Sequence, residues 1–193
     1  PAFDRELLRQ YAQTRISASY IVMLLVVATG LMLSVWLHAL AAGAWTAGVL
    51  CIHAAIVRNC SNFLADQPSL AATRRWRTRF VLLDLLYGVC WMAILIHPAL
   101  AAVSGTLMMF LMLLVIAVSS MLAANLPVAA VAVTAPVTVA ITLSLGLSGT
   151  LDNYLLAGFA VAAECYFVLL AHQLHSTTLA TLEARAEKDA LIG

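Results

Sequence analysis

Long apolar stretches alternate with short polar segments along the whole chain. Six stretches contain at most one Asp, Glu, Lys or Arg each, and at roughly 17 to 23 residues each can cross the hydrocarbon core of a bilayer as an α-helix. They are residues 17–37, 41–57, 80–96, 100–122, 127–145 and 155–172. The pattern predicts an all-α integral membrane protein, built as a bundle of six transmembrane helices.

The last apolar stretch continues into a charged one without a helix breaker. No Gly or Pro occurs between His172 and Gly193, and the segment is rich in Ala, Leu, Glu, Lys and Arg, which favour helix. Some of its residues, several of them apolar, recur about every 3.5 positions, which is the repeat typical of coiled coils. We therefore predict that the last span extends as a cytoplasmic helix and forms a homodimer. The predicted seam consists of His175, Leu179, Leu182 and Ala186.

Charged and apolar residues also alternate before the first span. Leu7, Leu8 and Tyr11 lie among charges, which is the pattern of an amphipathic helix at a membrane surface. The chain thus divides into an N-terminal cytoplasmic amphipathic segment (1–16), a membrane domain (17–172) and a C-terminal cytoplasmic helix (173–193). Because the chain starts without Met and stops inside a helical pattern, we expect it to be a piece of a longer protein.

Composition and charge strengthen the membrane interpretation and orient the chain. Hydrophobic residues make up 64% of the sequence and charged residues 10%, a balance that no ordinary water-soluble domain has. With six spans, all ten Lys and Arg residues fall on one side of the membrane, whereas five or seven spans would divide them. The positive-inside rule then predicts a multi-pass membrane protein with both termini and the Arg58 to Arg79 loop in the cytoplasm.

A cleaved signal peptide is the alternative interpretation of the first apolar stretch. Arg15 precedes it, and Ala39-Leu40-Ala41-Ala42 at its end loosely resembles a cleavage site. Cleavage would leave an odd number of spans and would divide the basic residues between the two sides. The charge pattern therefore favours a retained first span.

Three ionisable side chains lie inside the predicted spans, namely His53, Asp84 and Glu164. His53 and Asp84 are each about 7 to 8 Å of helix rise from the basic side, and Glu164 is about 12 Å from it. Charged groups are costly in hydrocarbon, so we expect them to face the bundle interior. Two simpler interpretations stay open: Asp84 can reach Arg79 at the interface, and His53 can be a hydrogen-bonded packing residue.

Two helix faces combine these groups with aromatic side chains. Asp84, Tyr87 and Trp91 follow helical spacing on the third span, and Glu164 lies among aromatic and thiol side chains on the sixth. Together they predict a pocket for a small, mostly apolar ligand with one polar head, or for a lipid. The predicted pocket residues are His53, Asp84, Tyr87, Trp91, Glu164, Cys165 and Phe167.

Motifs of enzymes do not occur in the chain. The sequence has no Gly-rich phosphate loop, no His-Glu-x-x-His, no Gly-x-Ser-x-Gly and no Cys-x-x-Cys. We therefore predict no catalytic residues, metal site or cofactor, and no nucleic-acid partner.

Two stretches resemble a known class of signalling proteins. The run Leu-Ala-Thr-Leu-Glu-Ala-Arg-Ala-Glu-Lys-Asp-Ala-Leu-Ile at 179–192 resembles the linker that follows the membrane sensor of bacterial hybrid histidine kinases. Trp76-Arg77-Thr78-Arg79-Phe80, followed by Gly88 and Trp91, resembles the six-span input regions of such proteins. The layout is also similar to kinases that sense fatty-acid-like or ketone quorum signals.

The resemblance implies a sensory input domain that acts on a cytoplasmic kinase domain and, through it, on a response regulator. No residue of this chain matches the phosphoacceptor histidine, because His172 and His175 lack its acidic context. The ending Lys188-Asp189-Ala190-Leu191-Ile192-Gly193 also looks like the start of a diguanylate cyclase domain. A small transporter that uses Glu164 and Asp84, or a structural subunit of a membrane complex, remains an alternative.

The predicted topology can be tested with reporter fusions. Alkaline phosphatase fused after His38, His97 or Gly149 should be active, because these turns carry no Lys or Arg and should face the periplasm. Green fluorescent protein fused after Asn62 or Arg185 should fluoresce, because these positions should be cytoplasmic. Active phosphatase at Asn62 or Arg185 would contradict the six-span topology.

Overall fold

The computed structural model describes residues 3–66, 69–97, 105–147 and 149–192. Regular structure in these ranges is entirely helical, with seven α-helices and no strand, which confirms the predicted all-α class. The helices are α1 (Asp4–Ser17), α2 (Ser19–Leu33), α3 (Ala39–Asp66), α4 (Leu70–Leu95), α5 (Gly105–Leu122), α6 (Pro127–Gly146) and α7 (Leu151–Ile192).

Length and hydropathy allow four or five of these helices to cross a membrane. The helices α3, α4, α6 and α7 qualify singly, while α1 and α2 qualify only as a pair bent by 52°. The apolar part of α5, Thr106–Leu122, is shorter. The start of the predicted fourth span, residues 100–104, lies outside the described residues. A membrane protein is thus supported, and the count of six spans stays a prediction.

The segment between α3 and α4 differs from the sequence interpretation. The second and third predicted spans leave residues 58–79 between them as a loop, but α3 continues to Asp66 and α4 already begins at Leu70. The reason is an aromatic cluster on one side of these helix ends. Phe63 packs with ring centroids 5.6 Å from Trp76 and 5.5 Å from Phe80. Burial of these rings stabilises helix in a stretch whose outer side is strongly charged.

The N-terminal segment is a helix, and one side of it is buried against the bundle. α1 packs mainly on α3 and also contacts α4. Its buried side chains include Leu7, Leu8 and Tyr11, as the amphipathic pattern predicts, and also Arg15. A bend of 52° after Ser17 separates α1 from the apolar α2, so that α1 lies against α3 and α4 and does not continue the line of α2.

Helix α6 lies at the centre of the bundle and packs on α4, α5 and α7. It packs tightly on α4 at Gly88, where an added Cβ would fall onto the backbone carbonyl oxygen of Val133. A side chain at this position would push the two helices apart. Small residues at such crossings let membrane helices approach closely and gain van der Waals contact.

Replacing Gly88 by Ala should therefore destabilise the bundle. We expect a loss of about 1 to 3 kcal/mol in the free energy of unfolding, because backbone and not a flexible side chain must move. Gly48→Ala is the matched control, since a Cβ at Gly48 meets no atom within 4 Å. Thermal unfolding in detergent measures both, and equal stability of the two variants would contradict the close packing of α4 on α6.

Candidate functional site

A fully buried ion pair joins α1 to α4. Arg15 Nη2 donates to Asp84 Oδ1 at 2.5 Å, and the Tyr11 hydroxyl donates to Asp84 Oδ2 at 2.6 Å. Arg15 is 2% exposed, and Tyr11 and Asp84 are not exposed at all. The sequence left Asp84 either in the bundle interior or in contact with Arg79 at the interface. The structure places Asp84 in the interior, where its basic partner is Arg15.

This arrangement makes the two residues dependent on each other. A buried ion loses its hydration, so the attraction of its partner and the remaining hydrogen bonds must compensate. Both Asp84 oxygens have a donor, and the Arg15 guanidinium also lies 5.4 Å from the centroid of the Tyr11 ring. Removing either charge would leave the other one buried without a counter-ion.

His53 lies next to this network on α3. Its Nε2 is 3.1 Å from the Ser19 hydroxyl oxygen, which links α3 to the start of α2, and its Nδ1 is buried without a hydrogen-bond partner. Its ring lies 6.4 Å from that of Tyr87 on α4. His53 thus occupies the hydrogen-bonded packing position that the sequence left open. The described residues contain no group of three or more His, Cys, Asp or Glu side chains suited to a metal ion.

The aromatic members of the predicted α4 face are buried. The ring of Trp91 packs 6.3 Å from that of Tyr87 and edge-on, at 5.0 Å, against Trp45 of α3. Trp45 Nε1 in turn donates to the Cys90 carbonyl oxygen at 2.9 Å. These contacts fill the space between α3 and α4 with side chains.

Glu164 is held by a different helix. Thr134 Oγ1 is 2.6 Å from Glu164 Oε1, and Thr138 Oγ1 is 2.9 Å from Glu164 Oε2. Thr134 Oγ1 is also 2.9 Å from the Ala130 carbonyl oxygen, so its single proton can serve only one of these acceptors at a time. The two hydroxyls, one turn apart on α6, fix the carboxyl of α7 between the helices.

The predicted pocket residues therefore separate into two groups. His53, Tyr87 and Trp91 lie with Asp84 between α1, α3 and α4, whereas Glu164 faces α6. Cys165 is exposed, and Phe167 is half-buried. The cavity beside Tyr87 and Trp91 measures only about 10 Å³, which is room for about one water molecule. A ligand pocket that includes both groups stays a prediction.

A larger cavity of about 550 Å³ opens at one end of the bundle. It is lined by the first turns of α1, the start of α4, the α5–α6 turn and α7 at His172 and His175. These elements therefore share one end of the bundle. The helices α4 and α6 begin there, α5 ends there, and α7 passes it on its way out.

The predicted dimer residues occupy different environments. His175 Nδ1 lies 3.1 Å from the Asn125 carbonyl oxygen in the α5–α6 turn of the same chain. Leu179 and Leu182 are half-buried, and Ala186 is exposed. His175 thus contacts its own bundle, and the predicted homodimer stays a prediction.

Sequence reasoning did not find four of these polar partners: Arg15, Ser19, Thr134 and Thr138. Arg15 was counted only as a cytoplasmic charge, although its position four residues after Tyr11 on the apolar side of α1 signals burial. Thr134 and Thr138 share one face of α6, but their spacing alone does not predict which carboxyl they contact.

Comparison of the chain with protein-family models, curated proteins and solved structures gives no match.

The mutual dependence of Arg15 and Asp84 can be measured with a double-mutant cycle. We expect Arg15→Met or Asp84→Leu alone to cost about 3 to 5 kcal/mol in unfolding free energy, because each leaves a buried unpaired charge. The double variant should recover most of that loss. Arg9→Met is the control, since the exposed Arg9–Glu6 pair should contribute less than about 1 kcal/mol. Additive losses in the double variant would contradict the pairing.

Proposed function

We propose that this chain is the membrane-embedded sensory input domain of a bacterial signalling protein, most closely a sensor histidine kinase, with both termini in the cytoplasm. It detects a small apolar ligand, a lipid or the state of the membrane. It passes the signal through α7 to a cytoplasmic output domain. The working form in this proposal is a homodimer in the bacterial inner membrane, with six spans that include α5 as the fourth.

The observation that carries the proposal is the continuity of α7. The helix runs unbroken from Leu151 to Ile192, 42 residues in all. At 1.5 Å per residue it is about 63 Å long, roughly twice the thickness of the hydrocarbon core. Its second half is mostly exposed and carries most of its charges. One rigid element therefore connects the membrane bundle with the space beyond it, as transmission of a signal requires.

Besides its packing on α5 and α6, α7 makes two polar contacts with the rest of the bundle. Glu164 is held by Thr134 and Thr138 of α6, and His175 contacts the α5–α6 turn. A shift of α6 relative to its neighbours would therefore displace α7 at two points about 16 Å apart along its axis. In the proposed mechanism the stimulus favours one of two such packings, and α7 carries the resulting rotation or piston movement outward.

The transporter alternative requires the two membrane carboxyls to act on one path. Asp84 faces α1 and is bound to Arg15, whereas Glu164 faces α6. This separation favours the sensor over a carrier that uses both groups. Flux in proteoliposomes that disappears in Glu164→Gln would support the carrier instead. The linker resemblance leaves the output domain as a kinase or a diguanylate cyclase.

A helix-breaking substitution tests transmission through α7. With Gly193 joined in helical register to the catalytic core of a sensor kinase, Leu182→Pro should return autophosphorylation to the level of the isolated core. Leu182→Ala keeps the helix and should retain most of the regulation by the bundle. Measurements in membrane vesicles, with membrane insertion checked by protease protection, separate transmission from misfolding.

Inserting residues after Thr178 provides a second readout of the same fusion. Four added alanines rotate the distal helix by about 40°, and two rotate it by about 200°, so only the second should disturb output strongly. Autophosphorylation that stays unchanged in Leu182→Pro and in both insertion variants would contradict a role of α7 in signalling.

A further inference from the structure

The larger cavity combines positive charge with apolar walls. Arg74 and Arg77, three residues apart on α4, line it from one side, and His172 and His175, also three residues apart, line it from α7. Residues with this spacing share a helix face, so both pairs project toward the same space. We call this space the basic cavity.

The charges of the basic cavity are not neutralised within the described part of the chain. The two ion pairs there are Arg9–Glu6 and Arg15–Asp84, and neither includes Arg74 or Arg77. The lining contains one acidic residue, Asp4, against the two arginines. The cavity is therefore electropositive even with both histidines neutral, and it can accept an anion.

Apolar side chains also line the basic cavity. They are Leu7 and Leu8 of α1, Leu126 of the α5–α6 turn and Val128 in the first turn of α6. A volume of about 550 Å³ is in the range of ligand sites in proteins. An inorganic ion would use only the basic wall, whereas a molecule with a charged head and an apolar portion would contact both kinds of wall.

We propose that the basic cavity binds the phosphate headgroup of an anionic membrane lipid. The phosphate contacts Arg74 and Arg77, with a hydrogen bond from His172, and the acyl portion lies against the leucines. His175 donates its Nδ1–H to the Asn125 carbonyl oxygen, so its Nε2 donates to the phosphate only when the ring is an imidazolium. Arginine guanidinium groups suit phosphate oxygens, and basic pockets between membrane helices on the cytoplasmic side are known to bind such headgroups. The position at the end of α4, α6 and the membrane part of α7 suits a headgroup at the membrane surface.

A bound headgroup would contact the exit point of α7 directly. His175 bridges the cavity and the α5–α6 turn through Asn125, so the lipid would influence the attachment of α7 to the bundle. The claim that this lipid is the stimulus rests on the proposed function. The claim that it binds does not, because binding is measured without an output domain.

Native mass spectrometry of the chain released from nanodiscs tests the site. The membranes contain equal amounts of phosphatidylglycerol and phosphatidylcholine. We expect retained phosphatidylglycerol, and about tenfold or greater weakening in Arg74→Gln/Arg77→Gln, since each basic group near the surface contributes appreciably. The control Arg75→Gln/Arg185→Gln removes the same charge from exposed positions outside the cavity and should bind normally. Equal losses in both double variants would overturn the proposal.

Three further measurements identify the ligand and its role. Inorganic phosphate at millimolar concentration should not displace the lipid, and displacement would mean that the site serves a free anion. His172→Gln/His175→Gln keeps hydrogen-bonding groups of similar size and should weaken binding less than His172→Ala/His175→Ala. If Arg74→Gln/Arg77→Gln loses lipid but leaves the output of the kinase fusion unchanged, the site stands and its role as the stimulus is refuted.

Discussion

A charge inside hydrocarbon needs a counter-charge or strong hydrogen-bond donors, and much of this bundle is arranged around that need. Asp84 accepts hydrogen bonds from Arg15 and Tyr11, and these contacts hold the amphipathic α1 against α4. Glu164 accepts hydrogen bonds from two hydroxyls of α6, and these contacts fix which side of α7 faces α6. Asp84 is fully buried and Glu164 is half-buried, and each carboxyl determines which helix its own helix must face.

The two carboxyls divide the molecule into parts with different tasks. The Asp84 side is filled by large side chains and by an ion pair that resists rearrangement, which suits a fixed support. The Glu164 side depends on two neutral hydroxyls, which are weaker partners than a guanidinium. If one interface changes during signalling, the contact of α6 with α7 is therefore the less costly one to change. The cavity at the end of this interface lies where a bound molecule would bias it.

The sequence alone predicts those features that an apolar run or a helical spacing specifies. The apolar stretch 127–145 corresponds to α6, Pro127–Gly146, and the absence of breakers after His172 predicts the length of α7. The end of α3 and the start of α4 were not predicted. The charged residues there are typical of a loop, but they lie on the outer side of helices whose inner side buries Phe63 and Trp76. The partner of Asp84 also depends on the bend after Ser17, which no local pattern encodes.

The central claim, that α7 is one rigid rod from the bundle to the exposed segment, can be tested by a distance measurement. Spin labels at the exposed positions Val161 and Arg185, on a chain with its four cysteines replaced and diluted with unlabelled copies, report the length of the helix in a bilayer. Double electron–electron resonance should give a single narrow distance of roughly 35 to 40 Å. A broad distribution or a much shorter distance would mean that α7 breaks where it leaves the bundle, and would contradict the account.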